Sequence, residues 1–279
     1  MSAPAPVVSS GTSSKTAITA LNSTIIYVLA YMLAQGSYQL ATVAMARRLS
    51  IPGVWRLSSI QFRITDPEWW RSAVLAVYGI GPTVCALLAV GAGLWFWHRA
   101  RQRKGLFKLF LLWLTLHSAN LVLGALVADT FLENWAWYIP SWLFLAGNIP
   151  NVILAVVAGL LQLVLGYFAA IGFLQSHDSI TLMQYHNRRQ LILVGILVPW
   201  VVGSLLLAAL KWPELSRNEA LHFLVMGLLL GPMAVKSAQE LFEFTIPEPK
   251  RTQLALGLLV LAGLVGLGWR LVLGAGVTF

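Results

Sequence analysis

Charge is what this chain has least of. Of its 279 residues only 10% are Asp, Glu, Lys or Arg, where soluble domains carry roughly 25%. With 58% hydrophobic residues and a mean hydropathy of +0.76, lipid has to solvate much of the surface. Cysteine is almost missing. Cys85 is the one cysteine, which excludes an internal disulfide and a multi-cysteine metal centre. Acidic residues number 10 against 19 basic ones, a net charge of +9. The basic residues lie in short flanks between apolar runs rather than in one patch. The excess therefore points to anionic lipid headgroups, not to nucleic acid.

What is present is apolar length. A spanning helix needs ~20 apolar residues, and seven stretches qualify or nearly do: Leu21 to Ala46, Ser72 to Trp97, Leu106 to Thr130, Asn151 to Leu174, Gln190 to Leu210, Leu221 to about Phe242, and Thr252 to Val277. The expected fold is an all-α polytopic integral membrane protein of about seven helices, within a range of six to eight. The first twenty residues, MSAPAPVVSSGTSSKTAITA, read from their composition as a disordered tail. Lys15 is their only charge, and the apolar run behind it is long enough to stay as an anchor rather than be cleaved as a signal peptide. Residues 21–279 form one transmembrane helical domain.

Two connections stand out. In Arg47 to Arg71, the segment Ile60-Gln61-Phe62-Arg63-Ile64-Thr65 alternates apolar and polar residues, which is a strand period. A short interfacial strand or hairpin is expected near 55–66, with Trp55, Trp69 and Trp70 at headgroup level. Phe131 to Pro150 has three tryptophans, two prolines and no Lys or Arg. It is too broken to span and reads as interfacial or re-entrant. With the N-terminal side inside, eleven Lys and Arg fall inside and seven outside, Arg270 being set aside within a helix. The preference is modest.

Polar groups inside a bilayer are costly, so each needs a partner or a purpose. The candidates are Gln35, Gln39, His117, Asn120, Asp129, Asn148, Asn151, Gln162, His222 and Arg270. Gln35 and Gln39 share one helix face, and read as interhelical polar contacts rather than zinc ligands, because a neutral amide is a poor one. His117 and Asn120 share a face of the third helix. Along that helix His117 and Asp129 are ~18 Å apart, so they cannot ligate one ion. Asp129 reads as an interfacial residue at a helix end. His222 could pair with His117 about a haem, but nothing fixes the two at one depth. His177, Asp178 and His186 read as a solvated loop. No metal and no other cofactor is expected. The glycine-rich last run is a packing surface, within the protein or against another copy or membrane protein.

The order AQGSYQLATVAMARRLSIP, IQFRITD, YGIGPTVCALLAV, LHSANLVLGALVAD, over residues 24–130, resembles the site-2-protease-type intramembrane metalloproteases. The resemblance implies that Gln35 and Gln39 stand where that family has two zinc histidines, and Gly36 where it has the water-activating glutamate. Asp129 stands where the third ligand belongs, followed by Thr130 instead of glycine. It implies a protease-like scaffold without protease activity, with the strand segment cytoplasmic, opposite to the Lys and Arg count. The expected function is non-catalytic: binding a partner, peptide or lipid in a crevice between the first three helices, lined by Gln35, Gln39, His117 and Asn120, with Asp129 counted among the binding residues. The alternatives are an active metalloprotein or intramembrane peptidase with atypical ligands, and a transporter or channel. The expected location is the bacterial inner (plasma) membrane.

Overall fold

The computed structural model describes residues 10–103, 105–145, 147–239 and 253–279. Among them seven helices are long and apolar enough to cross a membrane. They are α1 (Ser10–Arg48), α2 (Arg71–Ala100), α3 (Phe107–Leu132), α4 (Ile149–Gln175), α5 (Tyr185–Lys211), α6 (Arg217–Ser237) and α7 (Leu256–Gly274). The protein is an all-α polytopic integral membrane protein. In hydrocarbon every backbone N–H and C=O needs an internal partner, and a helix supplies them within one segment.

The expected disordered tail is corrected for residues 10–20, which are helical; residues 1–9 lie outside the described residues. Of the hydroxyls that suggest disorder by composition, that of Thr19 is absorbed by the helix. Thr19 Oγ1 donates to the Lys15 carbonyl at 2.9 Å and Thr24 Oγ1 to that of Ala20 at 2.8 Å, the back-bond by which Ser and Thr sit inside helices. Asn22 then anchors the start of α7, donating to the Gln253 carbonyl and accepting from Ala255 N–H. At the other boundaries, α6 ends at Ser237, and residues 240–242 of the expected sixth helix lie outside the described residues, as does Thr252. Val277 leaves the seventh helix for a strand.

That strand belongs to a small sheet. β1 (Gly53–Trp55), β2 (Ile60–Phe62) and β3 (Val277–Thr278) pair antiparallel in the order β2-β1-β3. Gly53 faces Phe62, and Trp55 faces both Ile60 and Val277. The expected hairpin is therefore present, with residues following α7 stitched onto its outer edge. Residues 131–150 form a 3-10 turn, Trp135–Trp137, and a short helix, Tyr138–Phe144, too short to cross a bilayer. The Arg71 guanidinium holds that helix by donating to the Trp142 and Leu143 carbonyls. Sheet and short helix lie at the same end of the bundle, the hairpin end, where α1, α3, α5 and α7 finish and α2, α4 and α6 begin.

α1 and α3 are the most enclosed spans, α4 and α7 the least. The centre is filled by Tyr27, Trp113 and Phe173, with Tyr27 edge-on to Trp113 at 4.9 Å between centroids. Glycines set the closest approaches. A Cβ at Gly81 of α2 would come within 2.8 Å of the Tyr38 ring, and one at Gly166 of α4 would overlap the Leu229 carbonyl of α6. In α7, by contrast, Gly263, Gly268 and Gly274 face open space, and Gly266 meets Leu210 and Met32 only at ordinary contact distance.

These contacts predict a contrast on one helix. Gly166→Ala should force α4 and α6 apart and cost about 2 kcal/mol. Gly159→Ala, whose Cβ would meet Leu228 and Val127 only at 3.9 Å, should change stability by no more than ~0.5 kcal/mol. Unfolding of the two variants in detergent measures the difference.

Candidate functional site

Beneath the hairpin lies a polar chamber of about 40 Å³, room for a few water molecules at most. Its walls come from α1 (Gln35, Tyr38, Gln39), α3 (Asp129), the start of α6 (Asn218, Glu219, His222) and the β1–β2 turn (Ser58, Ser59). The order in which the chain builds it is local. α3 carries one wider, π-type turn at Asn120–Gly124, a feature that recurs where a helix re-aims side chains, and runs on to Asp129. Glu133 and Trp135 then take positive φ angles of 49° and 43°, turning the chain back. Ala136 N–H returns to Asp129 Oδ2 at 2.9 Å.

The other Asp129 oxygen lies 2.8 Å from His222 Nε2. Asp129 is thus no interfacial helix end: it is 1% exposed and bonded across to α6. The backbone of His222 is held in turn. Asn120 Nδ2 donates to its carbonyl at 3.0 Å, and Gln162 Nε2 of α4 donates to Asn120 Oδ1 at 2.9 Å. One chain of hydrogen bonds therefore ties α4 to α3 and α3 to α6.

A buried ion pair closes the chamber's other side. The start of α6 is capped by Ser216, whose hydroxyl accepts from Glu219 N–H at 3.2 Å. In a Ser-x-x-Glu capping box the glutamate would fold back onto the cap residue. Here the Glu219 carboxylate points inward. Its Oε1 accepts from Lys211 Nζ and, at 3.2 Å, from the Tyr31 hydroxyl. Lys211 also donates to the Tyr31 oxygen at 3.0 Å and lies 5.4 Å from the Trp269 ring centroid. It is fully buried, so it is no headgroup-facing flank charge.

Of the candidates read from sequence, Gln35, Gln39, Asp129 and His222 come together at this chamber. Gln39 Oε1 accepts from Trp55 Nε1–H at 3.1 Å. His117 lies elsewhere, packed edge-on against Tyr27 at 4.3 Å and Tyr31 at 5.5 Å, and shares no bond with His222. Asn120 stands behind the wall as a support. The expected crevice between the first three spans is thus corrected. The chamber is bounded by α1, α3, α6 and the hairpin, and the Tyr38 ring packed on Gly81 fills the α1–α2 contact. Asn148 donates to Glu133 Oε1 and Asn151 to Ser141 Oγ, while Arg270 reaches the Leu210 carbonyl. Sequence reading missed Glu219 and the pairing role of Lys211. Their signal was available: opposite charges eight residues apart across one short connection between spans.

Across α1 from the chamber runs an apolar groove of about 680 Å³, between α1, the start of α3 and α7. Gly36, Ser37 and Leu40 form its α1 wall, Val265 and Trp269 its α7 wall, and Trp55 lines it as well. Trp55 therefore borders the groove with its ring while its N–H bonds a glutamine of the chamber.

At the opposite end of the bundle the loop expected to be solvated is partly buried. Lys108 Nζ meets Asp178 Oδ1 at 2.5 Å, and Asp178 Oδ2 accepts from Gly105 N–H at 2.7 Å. His177 is 8% exposed. Burial and then Lys108 push its imidazole down to about 4, against an opposing pull from Asp178.

No family model matches this chain, and neither a curated protein nor a solved structure matches it.

The bonding of Asp129 predicts its cost of removal. Asp129→Ala leaves the Ala136 N–H and His222 Nε2 without their acceptor and should destabilise the protein by about 3 kcal/mol. Asp129→Asn, which keeps an acceptor oxygen, should lose less. Thermal unfolding in detergent gives the ranking.

Proposed function

We propose that this is a non-catalytic binding protein of the membrane, built on a scaffold like that of the site-2-protease-type metalloproteases, which holds a lipid hydrocarbon chain in the groove beside α1. The observation that carries the reading is the groove itself. Its volume of about 680 Å³ falls in the range of sites for single small ligands, and its walls are apolar. A partner's spanning helix, ~10 Å across with its side chains, would need a longer and wider face. Ligand capture by hydrocarbon contact fits the side chains present.

The scaffold part of the proposal is supported by the meeting of Gln35, Gln39 and Asp129 at one cavity, the three positions that the resemblance assigns to metal ligands. Zinc hydrolysis needs three good ligands, an open position and a base. Two of these three side chains are neutral amides. Among the described residues no three His, Cys, Asp or Glu side chains converge as a metal-holding group. These residues favour binding over hydrolysis. For its residence we propose the bacterial plasma membrane, whose anionic leaflet suits the basic run Arg99, Arg101, Arg103.

The test fills the groove. A Cβ at Gly36 would lie 4.0 Å from Trp269, so Gly36→Trp should occupy the space between α1 and α7. Native mass spectrometry of the purified protein should show about one retained lipid per chain, lost in Gly36→Trp while folding is kept. A wild-type protein free of lipid, or a variant that retains as much, would overturn the reading.

A further inference from the structure

The chamber's polar groups do not balance. Glu219 Oε1 is taken by Lys211 and Tyr31, but Glu219 Oε2 has no partner, nor has Asn218 Oδ1 or Ser58 Oγ. These residues are 5%, 7% and 8% exposed, and all three line the same cavity. A buried acceptor left without a donor is costly, and most for a carboxylate. Three such oxygens around one small space call for a ligand that donates and carries positive charge.

We propose that the chamber binds a primary ammonium group, either of a free small amine or of an aminolipid headgroup. The chemistry is a match of number and charge. An ammonium offers three donors and no acceptor, one for each of Glu219 Oε2, Asn218 Oδ1 and Ser58 Oγ. A guanidinium has five donors in a planar fork, more than these three oxygens match. A quaternary ammonium has no N–H and takes aromatic cages instead of oxygens. Both Asp129 oxygens are taken, by His222 and by Ala136 N–H, so the carboxylate oxygen left for a cation at the chamber wall is Glu219 Oε2. Lys211, on the far side of Glu219, covers one oxygen. This site is separate from the lipid groove, and each can fail without the other.

The experiment follows the unfolding temperature of the full chain in detergent. It is titrated with methylammonium, tetramethylammonium or sodium chloride at one ionic strength. Methylammonium should stabilise in a saturable way, and the other two should not. Ser58→Ala and Asn218→Ala each remove one acceptor without touching the Lys211–Glu219 pair. Each should raise the half-saturating concentration roughly tenfold, the loss of one hydrogen bond to a charged group. Stabilisation by sodium or tetramethylammonium equal to that by methylammonium would overturn the proposal. So would variants that both titrate like the parent, or no saturable effect at all, which would leave those oxygens to water. Nanodiscs separate the sources. Greater stability in ethanolamine than in choline headgroups, lost in Ser58→Ala, identifies the lipid. Methylammonium binding without that difference identifies a soluble amine, with the ammonium site upheld in both cases.

Discussion

A carboxylate inside a bilayer protein survives only with its partners in place, and two of them fix this fold. Asp129 draws its partners from α6 and from the turn that follows α3. Glu219 draws its partners from α5 and α1. The Asp129–His222 and Glu219–Tyr31 bonds join elements far apart in sequence, and in a medium of low dielectric neither carboxylate can be released without a large penalty. The start of α6 is pinned from both sides by this means. Its helix N-terminus helps, because the free N–H groups of a first turn favour a negative side chain such as Glu219. The apolar spans on their own have no such directional preference, since lipid solvates Leu as well as another helix does.

α1 turns that anchoring into two environments. Gln35 and Gln39 are four residues apart and share a face, and Gly36 and Leu40 repeat that spacing one residue further round. The first pair lines the polar chamber and the second the apolar groove. One helix therefore acts as the partition between them. Trp55 closes the boundary, and the indole suits the place because it has a large apolar ring and one N–H to satisfy. Its N–H goes to Gln39 and its ring to the groove.

The spans were legible because hydropathy over twenty residues is a strong signal. Gln35, Gln39, Asp129 and His222 were legible as candidates because polar residues in such runs are few. The resemblance grouped Gln35, Gln39 and Asp129, but not His222 with them. Helix spacing relates residues within one span, and the bond from Asp129 to His222 crosses from α3 to α6. Arithmetic along one helix did separate His117 from Asp129, and His117 sits apart among Tyr27, Tyr31 and Trp113. Lys211 was hidden by its position, since a lysine at the end of an apolar run normally reaches for headgroups. Glu219 was hidden by a capping pattern that it does not complete. The helical start of α1 was hidden by its Ser and Thr content, since a back-bond such as that of Thr19 leaves no trace in composition. β3 is two residues long and pairs with β1 more than two hundred residues earlier, and no local pattern announces such a contact.

That last pairing gives the sheet its consequence. β1 is joined to the chamber roof through the Ser58–Ser59 turn and to α7 through β3. α7 is itself the outer wall of the groove. Gly53 and Phe279 exchange both backbone hydrogen bonds, at 3.1 and 3.0 Å, so the wall and the roof form one hydrogen-bonded body. A ligand that presses α7 outward from α1 must either break those bonds or carry β1 with it. Trp55 lies on β1, between the two spaces. Groove wall, chamber roof and the indole between them thus sit on one sheet of three short strands.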